Sequence, residues 1–172
     1  MKTVVVGPQP PEITAFIARR RALGQDRFDE VWEGDYHVVP APHPWHAYVH
    51  NTLAALLDPP AHAAGLVGTT QFNLGESDDY RIPDSGYHRG VPSEVFIPTA
   101  AIVVEVVSPH DETWEKFGFF ARRGVEEICV VDPWARQIRW FVLAGAQYEE
   151  TGASPLLGIT AADLAGRVDW PG

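Results

Sequence analysis

A single carboxylate, Glu105, lies inside an otherwise apolar run that extends from Ala100 to Ser108. Because β-branched residues dominate the run and turn-forming residues bound it, the run predicts a strand that is buried on both faces. Alternation along the strand gives one face Ile102, Val104 and Val106, and the other face Val103, Glu105 and Val107. An ionised carboxylate in that position is costly unless a cation, hydrogen bonds or a proton compensate for it. Glu105 therefore needs a partner.

Two other residues are candidates for the same site, a second carboxylate at Asp84 and an ammonium group at Lys116. Asp84 follows Pro83, and a proline restricts the residue before it to extended geometry, so we expect Asp84 at a strand end or in a turn. Lys116 falls on a helix that Ser108 and Pro109 are predicted to begin and Gly124 to end. If all three converge on one sheet edge, they form a site for a divalent metal ion and an activated water.

Asp84, Glu105 and the main-chain carbonyl of Val106 form a sensible ligand set for magnesium, which prefers oxygen ligands and keeps several waters. Such a metal lowers the pKa of a bound water and neutralises charge on a phosphoryl oxygen. Lys116 would stabilise the same charge or position the water. The alternative is a structural ion pair between Glu105 and Lys116 or an arginine, with Pro83–Asp84 as an ordinary turn. Residue types alone leave both interpretations open.

The length of 172 residues predicts one well-buried domain, because the chain is too short for two large ones. No apolar stretch approaches the roughly 20 residues that span a bilayer, so we expect a soluble, cytoplasmic protein with no membrane partner. Cys129 is the only cysteine. It falls in an apolar run and is expected to be buried in a reducing compartment.

The formal net charge of −10 argues against simple binding to nucleic acid, because affinity for phosphates is usually built from a surplus of Lys and Arg. A group of metal-binding carboxylates would account for part of this charge only. Local basic clusters exist, such as Arg19–Arg21 and Arg122–Arg123, but they are typical of solvated surface. Nucleic acid is therefore a partner that the overall charge disfavours.

The patterning predicts an α+β fold with a mixed central sheet flanked by helices. Helices are expected over 11–23, after Pro44, and over 108–124, and Thr160 is expected to cap a short terminal helix. Strands are expected over 28–39 as a hairpin, and over 65–74, 94–97, 126–132, 137–143 and 147–150. The strand, helix and strand succession around Glu105 predicts a parallel crossover.

Two groups of residues have both a functional and a structural interpretation. His46 and His50 lie four residues apart on one predicted helical face and could grip zinc, but no third ligand accompanies them at motif spacing. A satisfied or site-lining histidine is the commoner outcome. The tryptophans, including Trp114, Trp134 and Trp140, could stack on bases, although packing in a core or an interface is the commoner use.

Several segments in order resemble one family of bacterial proteins. These segments are Ile82–Asp84, Val103–Pro109, Glu115–Phe117, Gly124–Glu127 and Val130–Pro133. Together they are similar to the Uma2 family, which is described as restriction-endonuclease-like and belongs to the PD-(D/E)XK nuclease superfamily. The resemblance runs from about Glu33 to about Tyr148.

The resemblance implies a single restriction-endonuclease-like domain over 1–172 with its core at about 28–150. It also implies hydrolysis of phosphodiesters that depends on Mg²⁺ or Mn²⁺, with Asp84 and Glu105 as metal ligands. One departure matters: the usual lysine position, two residues after the acidic residue, is Val107 here. In the Uma2 pattern the lysine lies on the following helix and corresponds to Lys116. The family also tends to have a histidine at the position of His46, which therefore lines the expected cleft.

Three functions remain open at this level. The first is a metal-dependent nuclease. The second is a catalytically silent binding or assembly module of the same fold, with a homodimer through an edge strand at Ile138–Leu143. The third is a hydrolase of small phosphate esters, which would remove the conflict between the acidic chain and DNA.

Overall fold

The computed structural model of the chain describes residues 3–5, 9–108 and 112–171. The helices are α1 (Pro11–Ala22), α2 (Pro44–Ala63), α3 (Phe117–Arg122) and α4 (Ala161–Ala165), and a 3-10 helix covers Thr113–Lys116. The strands are β1 (Thr3–Val5), β2 (Glu30–Trp32), β3 (Asp35–Val38), β4 (Val67–Thr70), β5 (Asn73–Glu76), β6 (Asp79–Arg81), β7 (Ser85–His88), β8 (Phe96–Ile97), β9 (Ile102–Val106), β10 (Glu127–Asp132), β11 (Gln137–Ala144), β12 (Gln147–Glu150), β13 (Ala153–Ser154) and β14 (Ile159–Thr160).

The strands form two larger sheets and one small ribbon. The first sheet has the order β1-β3-β2-β6-β5-β8, the second sheet has the order β12-β11-β10-β9-β7-β4, and β13 pairs with β14. In the second sheet β9 and β10 are parallel, whereas β7 pairs with β9 in the antiparallel sense. The predicted α+β class with a mixed sheet is confirmed, and so is the parallel pairing around Glu105.

β9 is buried on both faces, as its composition predicts. Ile102, Val104 and Val106 join the first core, which α2 covers with Val49, Leu53 and Leu57. Val103 on the opposite face joins the second core, which contains Phe119 and Phe120 of α3. The two faces of one strand therefore hold two layers of side chains together, and the position of Glu105 is fixed by both.

The helix punctuation in the sequence agrees with the structure. α1 begins at Pro11 and its chain turns at Gly24, where φ is +62°. α3 is followed by Gly124 with φ +70°, a conformation that glycine adopts without steric cost. The Thr160 hydroxyl accepts a hydrogen bond from the main-chain N–H of Asp163 and so caps α4.

Two local predictions need correction. The strand predicted over 65–74 is divided into β4 and β5, because the chain passes from the second sheet to the first between them. The helix predicted over 108–124 is a 3-10 turn followed by α3. Its predicted first helical residue, Pro109, lies outside the described residues, and so do His110 and Asp111, which the sequence favours as capping residues of this helix rather than catalysts.

The prediction that the strand over 138–143 lies at the edge of a sheet is wrong. β11 lies inside the second sheet between β10 and β12. Its polar alternation has another cause, since Arg139 forms an ion pair with Glu150 of the neighbouring strand at 2.6 Å between Nη2 and Oε2. The strand expected to form a homodimer is therefore already paired on both sides within the chain. A homodimer stays a prediction, but it cannot form through this strand.

No helix in the described ranges is long and apolar enough to cross a membrane. Cys129 is buried and unpaired by disulfide, as expected. The single domain over 1–172 stays a prediction. Buried residues continue past position 150, because Leu157, Leu164 and Val168 all belong to the first core.

Glu127 connects this last part of the chain to the second sheet. Its carboxylate, on β10, accepts hydrogen bonds from Trp140 Nε1, Ser154 Oγ and the main-chain N–H of Leu156. Glu127 is 1% exposed, so these donors satisfy a group that water does not reach. The sequence gives no sign of this role, because Glu126 and Glu127 are adjacent and look alike.

We expect Glu127→Ala to lower the free energy of unfolding by at least about 3 kcal/mol, because it leaves several buried donors unpaired at roughly 1–3 kcal/mol each. Urea denaturation measures this change. Glu126→Ala is the matched control, since the Glu126 side chain is 44% exposed and pairs with exposed Arg89. The control is expected to lose no more than about 1 kcal/mol. Equal losses in the two variants would contradict the buried role of Glu127.

The pH dependence of stability is predicted from His88 on β7. Burial lowers the pKa of His88 below its ordinary value of 6.5, and a hydrogen bond with the main chain of Thr99 opposes this only in part. The unfolded chain therefore takes up the proton at a higher pH than the folded chain, so stability falls as the pH drops below about 6.5. We expect His88→Gln to lose less stability than the wild type between about pH 7 and pH 5. Urea denaturation at both pH values checks this, and parallel losses would refute it.

Candidate active site

A cleft of about 370 Å³ lies where β9 ends, beside the start of α2 and the 3-10 helix. Four carboxylates line it among the described residues, namely Glu30, Asp84, Glu105 and Glu112, together with the ammonium group of Lys116. Their formal charges sum to −3. A cleft of this charge attracts cations and repels phosphates unless a cation is bound.

Glu105 obtains the partner that its buried position requires. The residue is only 4% exposed, and Lys116 Nζ lies 3.3 Å from its Oε1 atom. Lys116 is the last residue of the 3-10 helix, which follows β9 in the chain and returns over the same face of the second sheet. The long lysine side chain therefore reaches the strand from a neighbouring element.

A second buried carboxylate, Glu30 on β2, holds the same ammonium group. Lys116 Nζ lies 3.0 Å from Glu30 Oε1. Glu30 also accepts hydrogen bonds from the main-chain N–H of Ile82 at 2.8 Å and from Trp32 Nε1 at 2.7 Å. Because β2 belongs to the first sheet and β9 to the second, Lys116 connects the two sheets at the cleft.

Sequence reasoning missed Glu30. The signal that identified Glu105 was a lone carboxylate in an apolar run, whereas Glu30 has acidic neighbours on both sides, at Asp29 and Glu33. The available clue was the alternation of the hairpin, which places Glu30 and Trp32 on one face of β2. That clue is weak, because acidic residues are common in exposed hairpins.

Lys116 remains protonated in this environment. Burial by itself lowers the pKa of the amine, but the negative charges of Glu105 and Glu30 outweigh burial and raise the pKa above its usual range. Asp84 adds to this effect. The group therefore acts as a fixed positive charge and a hydrogen-bond donor, and it does not accept a proton near neutral pH.

Asp84 is positioned by the pairing of β7 with β9. Ser85 is the register partner of Val104, so one further residue along each strand sets Asp84 opposite Glu105. The main-chain N–H of Val106 donates to Asp84 Oδ2 at 2.7 Å, and His46 Nε2 lies 3.0 Å from the same oxygen. Among the described residues, all hydrogen-bond contacts of this carboxylate therefore involve Oδ2.

His46 and His50 lie on the face of α2 that approaches Asp84. His46 is buried and its ring contacts the carboxylate directly. Burial lowers the pKa of His50, and the neighbouring Asp84 opposes this shift. His50 Nε2 is buried and has no hydrogen-bond partner. In the part of the chain that the structure describes, no group of three or more His, Cys, Asp or Glu side chains is arranged to hold a metal ion.

The donors in the cleft fit a hard divalent cation better than zinc. Asp84 and Glu105 supply carboxylate oxygens from adjacent strands, and the Val106 main chain lies against Asp84. Magnesium is commonly held by one or two carboxylates with several waters, so it does not require a cluster of three acidic or histidine ligands. Zinc in proteins is held mainly by nitrogen and sulfur ligands. The predicted set of Asp84, Glu105 and Val106 is chemically suited to Mg²⁺ or Mn²⁺.

All five residues singled out from the sequence line the cleft, namely His46, Asp84, Glu105, Val106 and Lys116. Val107, at the usual lysine position, instead packs against the second core. The roles of Asp84, Glu105 and Val106 as metal ligands, and of Lys116 in catalysis, stay predictions.

Comparison with known families and structures agrees with this fold. The Uma2 family model, described as "Putative restriction endonuclease", matches residues 19–165. A crystal structure from Anabaena variabilis, described as "a putative nuclease belonging to DUF820", is similar with a TM-score of 0.62 and 13% sequence identity. The similarity covers 81% of this chain and 90% of that chain, and at this identity it supports the fold alone. No curated protein matches.

We expect Lys116→Met to lower the free energy of unfolding by about 3–5 kcal/mol at neutral pH, because Glu30 and Glu105 lose the cation between them. Acid should reduce this loss, since protonation of either glutamate removes the repulsion. Chemical denaturation at neutral and mildly acidic pH measures both effects. Arg122→Met is the control, because Arg122 is exposed and pairs with exposed Glu33. A loss no larger than the control's would show that the buried ion pairs contribute little.

Proposed function

Because the chain belongs to the Uma2 family, we propose that it is a nuclease-like enzyme that hydrolyses phosphodiester bonds with Mg²⁺ or Mn²⁺. The observation that supports this most is the meeting of Asp84, Glu105 and Lys116 in one cleft, although they come from separate elements. A purely structural ion pair has no need of the third group. An acidic pair beside a fixed ammonium is, in contrast, suited to phosphoryl chemistry.

Asp84 and Glu105 would hold the metal ion, with the carbonyl of Val106 as a further oxygen donor. When bound, the metal supplies an activated water and neutralises negative charge on the phosphate. His46 orients the Asp84 carboxylate through the contact at Oδ2. The main-chain N–H of Val106 fixes the same oxygen from the strand side.

Lys116 would donate hydrogen bonds to the attacking water and stabilise negative charge on the phosphate. Its raised pKa keeps the amine charged, so it does not take the proton from the water. Glu30 is a positioning residue, because its carboxylate is itself fixed by Ile82 and Trp32 and holds the ammonium group at the cleft. The usual strand lysine is thus replaced by a lysine that a buried glutamate holds in place.

A catalytically silent binding or assembly module is the second candidate. The observation that favours it is charge: the chain carries −10 overall, and the two ion pairs of Lys116 would stabilise the fold without any reaction. A hydrolase of small phosphate esters is included in the same test as a third substrate class.

The test is an assay with single-stranded and duplex DNA, RNA and a small phosphodiester, each with Mg²⁺ or Mn²⁺ and after chelation by EDTA. We expect hydrolysis that EDTA abolishes and added metal restores. Asp84→Asn and Glu105→Gln should each lower the rate by at least about 100-fold, because each removes a ligand that acts on developing charge. Glu126→Gln is the control and should keep the wild-type rate, since Glu126 is exposed and pairs with Arg89 away from the cleft.

Calorimetric titration of manganese separates the two main candidates. Saturable binding that Asp84→Asn abolishes would support the metal site. Hydrolysis that survives Glu105→Gln would refute the assignment of the site residues. If no substrate is hydrolysed and no manganese binds to the wild type, the silent module is the better description.

A further inference from the structure

An open cluster of three aromatic rings lies at the rim of the candidate active site. Trp45 and Trp134 have ring centroids 6.0 Å apart, and His43 lies 5.6 Å from Trp45 and 6.0 Å from Trp134. We call these three residues the aromatic rim. His43 also lines the cleft, so the rim and the cleft share a wall.

The fold places this rim beside the reacting groups. Trp134 follows β10, the parallel neighbour of β9, so it emerges at the same sheet edge as Val106. His43 caps the start of α2 and precedes by three residues His46, which contacts Asp84. His43, His46 and Asp84 all line the cleft. A ligand on the rim would therefore continue into the cleft.

The rim rings are open, unlike other aromatic groups of the chain. Trp32 is stacked on His37 at 4.4 Å and covered by Arg81 at 4.3 Å, so its faces are occupied. In contrast, the rim rings are inclined by 39° to 85° to one another, so none of the three pairs is stacked face to face. Trp134 is 41% exposed. Part of its side chain is therefore open to solvent at the rim of the cleft.

Charge decides which planar ligand fits. The described residues that line the cleft carry four carboxylates and one ammonium group, so phosphate contacts contribute little affinity on their own. An unpaired nucleobase stacks on an aromatic ring without any requirement for positive charge. A base inside a duplex is already stacked and paired, so its face is not available.

We infer that the aromatic rim of His43, Trp45 and Trp134 stacks on an unpaired nucleobase, and that the substrate class is single-stranded nucleic acid. This inference rests on the proposed function for the identity of the reaction. It resolves the conflict between an acidic chain and a polyanionic substrate, because affinity comes from base stacking and from the bound cation.

The experiment measures binding by fluorescence anisotropy with a short labelled oligothymidylate, its duplex with oligoadenylate and an abasic oligomer of the same length. A matching oligouridylate distinguishes DNA from RNA as the source of the base. Ca²⁺ is present, since it takes the same kind of oxygen ligands as Mg²⁺, and electrophoresis confirms that the probes stay intact.

The wild type is expected to bind either single strand at least about 5-fold more tightly than the duplex or the abasic oligomer, as stacking on one aromatic side chain provides. Trp134→Ala should weaken single-strand binding by about 5- to 100-fold, and Trp134→Phe should keep most of it. Trp114→Ala is the matched control: Trp114 is 46% exposed but packs beside Phe117 and Arg139. Trp114→Ala should bind the single strand with the affinity of the wild type.

Equal affinity for the abasic and base-bearing oligomers would overturn the inference, and so would preference for the duplex or absence of binding. These outcomes are measured with the wild type, so they test the inference even if Trp134→Ala fails to fold. The outcome is also separate from the proposed function. If Trp134→Ala binds the single strand as tightly as the wild type and the protein hydrolyses a substrate with metal, the stacking role of the aromatic rim is refuted and the proposed function is not. If binding depends on Trp134 but no substrate is hydrolysed, the proposed function is refuted and the stacking role is not.

Discussion

The ion pairs of Lys116 with Glu105 and Glu30 are the interaction on which the arrangement of this molecule depends. Glu105 occupies a strand whose other side chains are apolar, so its charge needs a cation close by. The lysine that supplies it also meets Glu30 from the other sheet. A single ammonium group therefore contacts two buried carboxylates, connects the two sheets and forms part of the cleft wall.

The cleft owes its position to the pairing of strands. β9 is parallel to β10 and antiparallel to β7, so the end of β9, the end of β10 and the start of β7 meet at one edge. Asp84, Val106 and Trp134 are brought together there from distant parts of the sequence. α2 then places His43 and His46 over the same edge. Ligand sites are common at the carboxyl ends of parallel strands for this geometric reason.

The geometry of the fold explains the positions of several of the acidic residues. Much of the charge at the cleft belongs to carboxylates with defined partners, including Asp84, which the Val106 main chain and His46 hold. Glu127, another buried carboxylate, instead connects the C-terminal segment to the second sheet through three donors. Carboxylates of one residue type thus divide between a site and the architecture, according to what each one contacts.

Sequence patterns predicted the parts of the fold that depend on local chemistry. The two-faced burial of β9, the beginning of α1 and the cap at Thr160 follow from composition over a few residues. The parallel crossover follows from the succession of strand, helix and strand. Predictions were wrong where the outcome depended on distant partners. The polar alternation of β11 predicted an edge strand. Arg139 instead forms an ion pair with Glu150 on the neighbouring strand β12.

The sequence by itself determined that Glu105 is buried and needs a compensating group, that Lys116 is a candidate to supply it, and that Asp84 is a candidate second carboxylate of the same site. Only the tertiary structure decided that Glu30 shares the lysine and that an aromatic rim adjoins the cleft. The physical reason is the separation in sequence between the interacting residues. Burial and helix punctuation arise from interactions within a few residues, whereas an ion pair between Glu30 and Lys116, 86 positions apart in the sequence, exists only after two sheets have met.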